Sequence, residues 1–155
     1  MSKTIYFDMD GTLYDLYGCA HWLEKLEREE VEVYLCGAAL CNLSSLARTI
    51  NRMKKDRYKF GIISWLSKNG NKKYNEKVID AKQKWLKNHL PSVEWDEINI
   101  IEYGKSKKKN CGDCNGWIID DDKSIRNDWG IRAISPQNII KKLKLIYEIE
   151  ENYYE

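Results

Sequence analysis

Two aspartates, Asp8 and Asp10, stand one residue apart where a short apolar run meets Gly11. In an extended segment, side chains at i and i+2 leave the backbone on the same side. Both carboxylates can therefore address one phosphoryl group and one cation. Like charges that close repel each other unless a metal ion or a proton intervenes. Gly11 permits a tight turn and a close approach to a ligand, and the amides of Met9, Asp10 and Gly11 are placed to cradle anionic oxygens. A nucleophilic carboxylate beside a second one that can carry a proton is the equipment for dividing one hard hydrolysis into two easier steps.

Three other stretches supply compatible groups. The apolar run at residues 60–65 ends in Ser64 and Trp65, and residues 117–119 deliver Asp120, Asp121 and Asp122. Between them lies a basic stretch in which Lys107 is the expected functional cation and Lys105, Lys108 and Lys109 compete with it. Each has an ordinary reading in isolation. Ser64 could be a cap, the lysines a solvated loop, and the acids the opening of a turn. Three like charges at a strand end are nevertheless costly without a cation nearby.

The elements that would position these residues alternate. Residues 3–7 read as a buried strand, and residues 22–30 as a short amphipathic helix. Leu43, Leu46, Ala47, Ile50 and Met53 recur at helical spacing after Asn42 or Ser44 as N-cap. A strand at 60–65 precedes a helix from about 75 to 89, whose inner stripe is Val78, Ile79, Trp85, Leu86 and Leu90 and which Pro91 stops. Strands are expected at 98–101, 117–119 and 131–134. Ser135-Pro136 then has the signature of a helix start, with Ile139, Ile140, Leu143, Ile146 and Tyr147 on its buried face. The pattern predicts a three-layer, Rossmann-like α/β domain with a mostly parallel sheet. Ligands bind such sheets at the carboxyl ends of strands, where Asp8, Asp10, Ser64 and the acids at 120–122 all fall.

The order D-x-D-G-T, a strand-end Ser, a Lys and an acidic pair resembles the motif series of the haloacid dehalogenase-like (HAD) hydrolases, over residues 6 to about 129. The resemblance implies that Asp8 is the nucleophile, Asp10 the general acid and base, and Lys107 the catalytic cation. It further implies that Ser64 and Trp65, with the backbone of Met9 and Gly11, hold the phosphate. Asp8, Asp10 through its carbonyl, Asp120 and Asp121 would hold Mg²⁺, a cation that prefers oxygen ligands. The run Asp-Met-Asp-Gly followed by Leu13 and Asp15 is similar to that of the 5′(3′)-deoxyribonucleotidases within the family. The implied activity is Mg²⁺-dependent phosphomonoester hydrolysis through an aspartyl-phosphate, with a 5′- or 3′-nucleotide as substrate. The competing expectations are a phosphatase of nucleic-acid ends and a low-turnover binding or regulatory protein.

The chain has 155 residues, 26 basic and 24 acidic, enough for one domain with a real core. An insert at 14–41 is the only room for a cap, and its size predicts an open site, which a second copy of the chain would be able to cover. Tyr14, Tyr17, Trp22, Trp65 and Trp129 surround the site as stacking or packing groups. A net charge of +2 gives nucleic acid no particular support. No apolar run is long enough to cross a bilayer, and the first strand begins too early for a signal peptide. A cytoplasmic protein is expected. Five cysteines then read as reduced thiols. The C-x-x-C at 111–114 and the looser pair Cys36 and Cys41 are weak zinc candidates.

Overall fold

Strand β1 (Thr4–Phe7) is buried along its whole length, a pattern that suits the centre of a sheet and not its edge. The computed structural model describes residues 2–153. In it, β1 is flanked by β4 (Lys59–Trp65) and β6 (Trp117–Ile119), with β5 (Glu97–Ile101) and β7 (Ala133–Ile134) at the edges, and every pairing is parallel. The register sets Ile5 beside Phe60 and Trp117, and Phe7 beside Ile62 and Ile119.

Alternation along the strands sorts these residues onto two faces. Ile5, Phe7, Phe60, Ile62, Trp117 and Ile119 join the larger apolar cluster, to which α2 (Leu43–Lys55), α3 (Lys72–His89) and α5 (Ile139–Tyr153) contribute their inner stripes. Tyr6, Ile63 and Ile118 face the other way and pack with Ile125 and Trp129 of α4 (Lys123–Trp129). The result is the expected three-layer, Rossmann-like α/β architecture. Among the described residues, no helix is long and apolar enough to cross a membrane.

Residues 14–41 form an excursion between β1 and α2. It leaves through β2 (Tyr14–Asp15), carries the short helix α1 (Trp22–Glu27), and returns through β3 (Ala38–Ala39), which pairs antiparallel with β2. Leu16, Val33 and Tyr34 from this excursion are buried in the main core.

Local chemistry explains where the boundaries differ from those expected. Helix α3 starts at Lys72 because Asn71 caps it, accepting the Tyr74 N–H at 2.8 Å. Asn42 caps α2 in the same way through Ser45. Helix α1 ends at Glu27, and Glu29 takes a left-handed conformation that stops continuation. The strand expected at 131–134 shrinks to two residues, with Ile131 97% exposed. Ser135-Pro136 does not start α5, which begins at Ile139 after left-handed Asn138. Ser135 instead receives the Lys142 ammonium on its carbonyl and hydroxyl oxygens. The acidic, tyrosine-rich end of the chain runs on into residues 154 and 155, which lie outside those described.

Candidate active site

Because β1, β4 and β6 are parallel neighbours, their carboxyl ends bring Asp8, Ser64 and Asp120 to one edge of the sheet. Asp8 and Asp120 are buried, and so is Lys107, whose Nζ donates to Asp8 Oδ1 at 2.9 Å and Asp120 Oδ2 at 2.7 Å. Lys107 enters from the residue preceding a single 3₁₀ turn at Lys108–Asn110. The competing lysines point elsewhere. Lys105 pairs with Glu102 in solvent, and Lys108 donates to the Trp129 carbonyl. Lys109 gives a backbone N–H to Ser106.

The three acids at 120–122 divide into three roles. Asp120 points inward and also accepts the Asp122 N–H. Asp121 faces the turn after β1, where Thr12 Oγ1 lies 3.3 Å from its Oδ1 and 3.2 Å from Asp8 Oδ2. Asp122 is the N-cap of α4, accepting from Ser124 and Ile125. Gly11 has φ +78°, and a Cβ there would lie 2.4 Å from Asp121 Oδ2, so both its conformation and its neighbour call for glycine.

Ligand atoms of Asp8, Asp120 and Asp121 lie within 4.8 Å of one another, the one such grouping of potential metal ligands among the described residues. Burial first, and then the charge of Asp8, pushes Asp120 up to about 7. Loss of water, then a hydrogen bond with Asp8 and the Asp8 and Asp120 charges, push Asp121 up to about 8. Burial works to lower Lys107, but the charges of Asp8 and Asp120 and its hydrogen bonds to them outweigh it and shift the group upward. One ammonium therefore leaves negative charge in excess among hard oxygen donors, a set that fits a divalent cation such as Mg²⁺.

A cleft of about 630 Å³ opens beside this cluster. Asp8, Asp10, Lys107, Asp120 and Asp121 line one end. Tyr17, Trp22, Leu23 and Tyr34 from residues 14–41 and Trp65 and Tyr103 from the strand ends line the rest. Trp65 stacks obliquely on Tyr103, its ring lies 5.5 Å from Lys107 Nζ, and its Nε1 donates to the Lys105 carbonyl.

Two of the groups expected to hold a phosphate, the Ser64 hydroxyl and the Gly11 amide, are engaged within the protein. Ser64 is fully buried, and its Oγ receives the Lys82 ammonium at 2.7 Å instead of opening onto the cleft. The Gly11 N–H is spent on the Tyr14 carbonyl at 2.9 Å. Met9 puts its side chain into the core, while its carbonyl accepts from Thr12, Leu13 and Tyr14. The Gly11 amide and the Met9 carbonyl thereby hold the turn closed.

Sequence reasoning missed Lys82. It lies on α3, fully buried, and donates to Asp10 Oδ2 at 3.0 Å, Ser64 Oγ and the Trp65 carbonyl. The signal was its position four residues after Val78 and three before Trp85, on the apolar stripe itself. All five cysteines are free, and the thiol neighbour of Cys36 is Cys19 and not Cys41. Cys19 Sγ lies 2.7 Å from Cys36 Sγ, Cys41 is partly buried elsewhere in the core, and Cys111 Sγ turns to the Lys108 carbonyl.

The parallel sheet, with acids and a lysine clustered at its carboxyl edge, defines a Rossmann-like α/β domain with a cleft lined at one end by that cluster. No protein-family profile matches the chain, and no curated protein matches it. Among solved structures, it is similar to D,D-heptose 1,7-bisphosphate phosphatase from Burkholderia thailandensis. That similarity has a TM-score of 0.49 and 12% identity, covering 86% of this chain and 75% of that one.

Proposed function

We propose that this chain is a Mg²⁺-dependent phosphomonoester hydrolase of the HAD type, working through an aspartyl-phosphate on Asp8. The observation that carries the reading is Lys107 joined to Asp8 and Asp120 beside Asp121, at the carboxyl ends of adjacent parallel strands. In the first step an Asp8 oxygen forms a bond to phosphorus as the ester bond breaks, and Asp10 gives its proton to the departing alkoxide. In the second, Asp10 takes a proton from the water that attacks the aspartyl-phosphate, releasing phosphate and restoring Asp8. Lys107 counters the charge that Asp8, Asp120 and the phosphoryl oxygens bring together. Mg²⁺ held by Asp8, Asp120, Asp121 and the Asp10 carbonyl would supply further charge neutralisation.

Residues 14–41 act as the small cap of a single domain, and the substrate is a 5′- or 3′-nucleotide whose base lies against Tyr17, Trp22 or Trp65. The support for a nucleotide is a cleft with aromatic rings next to the acids. The test is phosphate release from a panel of phosphomonoesters, including 5′- and 3′-nucleotides, with Mg²⁺ or EDTA, for wild type and Asp8→Asn. Metal-dependent release that the variant loses supports the reading and ranks the substrates. No release by a folded protein that binds Mg²⁺ overturns it in favour of a binding or switch protein.

A further inference from the structure

Asp10 is gripped on both oxygens. Tyr14 donates its hydroxyl to Oδ1, and Lys82 donates its ammonium to Oδ2 at 3.0 Å. Both donors are buried, whereas Asp10 itself lines the cleft. Lys82 comes from α3 and Tyr14 from β2, so the carboxyl group is fixed between two separate elements, and the second lone pair left on each oxygen is where the proton that passes to the alkoxide is carried. The remaining contacts of Lys82 anchor it to the sheet edge: Ser64 Oγ and the Trp65 carbonyl, each at 2.7 Å, with the Tyr34 ring 5.1 Å away.

An ammonium with no exposure to water persists only where its partners repay the lost hydration. An apolar side chain would fill the α3 stripe between Val78 and Trp85 without that cost. The lysine is instead spent on the one acid whose direction controls proton transfer in the proposed reaction. A carboxylate free to turn about its side-chain bonds would reach the leaving oxygen only part of the time, and misplacement by about 1 Å can cost roughly a hundredfold in rate.

We infer that Lys82 and Tyr14 are positioning residues that clamp Asp10 toward the leaving-group oxygen, an inference that rests on the phosphatase reading above. The clamp matters for esters whose leaving alkoxide must be protonated as it departs. It matters far less for 4-nitrophenyl phosphate, whose phenolate leaves without a proton.

The test compares kcat/KM for an alkyl phosphate and for 4-nitrophenyl phosphate in wild type, Lys82→Met and Tyr14→Phe, with folding checked by circular dichroism. Because kcat/KM reports events up to formation of the phosphorylated enzyme, it isolates the protonation step. General acid catalysis contributes roughly 10² to 10⁴-fold, so Lys82→Met should lower the alkyl ester by at least about 100-fold and the aryl ester by less than about tenfold. Slow release of phosphate from Asp8 should also give a burst of 4-nitrophenolate in this variant. Equal losses on both esters, or no loss on either, overturn the inference. If Lys82→Met does not fold, Tyr14→Phe decides by the same differential. Failure of wild type to hydrolyse any ester would show first and would remove the phosphatase reading together with the clamp. Activity that Asp8→Asn abolishes, with no differential in the clamp variants, would remove the clamp alone.

Discussion

Asp8 and Asp120, each just past the end of one of two neighbouring strands, share a single ammonium: Lys107 Nζ stands 2.9 Å from one carboxylate and 2.7 Å from the other. Removing it leaves two buried carboxylates facing each other. Breaking a buried pair in this way costs about 3–5 kcal/mol, so metal-free Lys107→Met should unfold at markedly lower urea than metal-free wild type. Mg²⁺ should recover much of the difference. Coincident urea midpoints in EDTA would contradict the shared-ammonium account.

Stability of the metal-free protein should fall as pH rises. Asp120 and Asp121 are pushed up to about 7 and 8 in the folded chain, against about 3.9 for an unfolded Asp. Between these values the folded state holds protons that the unfolded state has released, so its advantage is complete below about pH 4 and is lost as pH climbs through 7 to 8. The depressed carboxyls of Asp96, Glu97, Asp113 and Asp122 act in the acidic range below that window. Urea midpoints at pH 5.5 and 8.5 in EDTA should therefore decline, and saturating Mg²⁺ should flatten the decline. A rise with pH in EDTA would rule this out.

Thr12 stands between Asp8 and Asp121, two of the three carboxylates of the acidic cluster, and its hydroxyl also receives the Asp121 N–H at 3.2 Å. Thr12→Val keeps the buried shape and removes the oxygen. Groups that orient metal ligands typically change affinity roughly 10- to 100-fold, and the Mg²⁺ concentration for half-maximal activity should rise by that order. An unchanged Mg²⁺ titration would show that Thr12 only packs.

Cys19 and Cys36 hold their sulfurs 2.7 Å apart across the excursion. Burial, then the hydrogen bond to Cys36, pushes the Cys19 thiol up to about 11, so exposed Cys36 is the first to react. Treatment with oxidised glutathione at alkaline pH should join these two residues and leave three titratable thiols of the five in the chain. Closing this loop should stabilise the protein by about 3 kcal/mol. Peptide mapping that finds Cys36 joined to Cys41 would overturn the assignment.

The sheet was legible because apolar runs bounded by turn residues mark parallel strands strongly, and because helical spacing separates α2 and α3 from them. The direction of individual lysines was not. Lys107 stands in a basic stretch with no period, and only the fold of the loop turns it inward. Lys82 was hidden by the opposite problem, since a charged residue on a helix is ordinarily assigned to the wet face, and its acceptors lie 17 to 72 residues away. Ser64 was placed correctly at its strand end. Its burial beneath Lys82 depends on a contact between two elements that neither sequence stretch announces. The thiols followed the same rule, because Cys19 and Cys36 meet only when the excursion folds back.

That excursion departs and re-enters at one place, with Tyr14 opposite Ala39 and Asp15 opposite Ala38, and with the Leu40 N–H on the Leu13 carbonyl. Its two ends are thus spliced at a stem, as a gemstone is held in a ring setting. Exposed residues between the two stem strands can be lengthened, shortened or exchanged as a cassette, provided Leu16, Val33 and Tyr34 stay in the core, while the stem keeps Tyr14 and the turn before it in place. In a chain built this way, selection or engineering can change what the cleft admits without redrawing the carboxylates at its end.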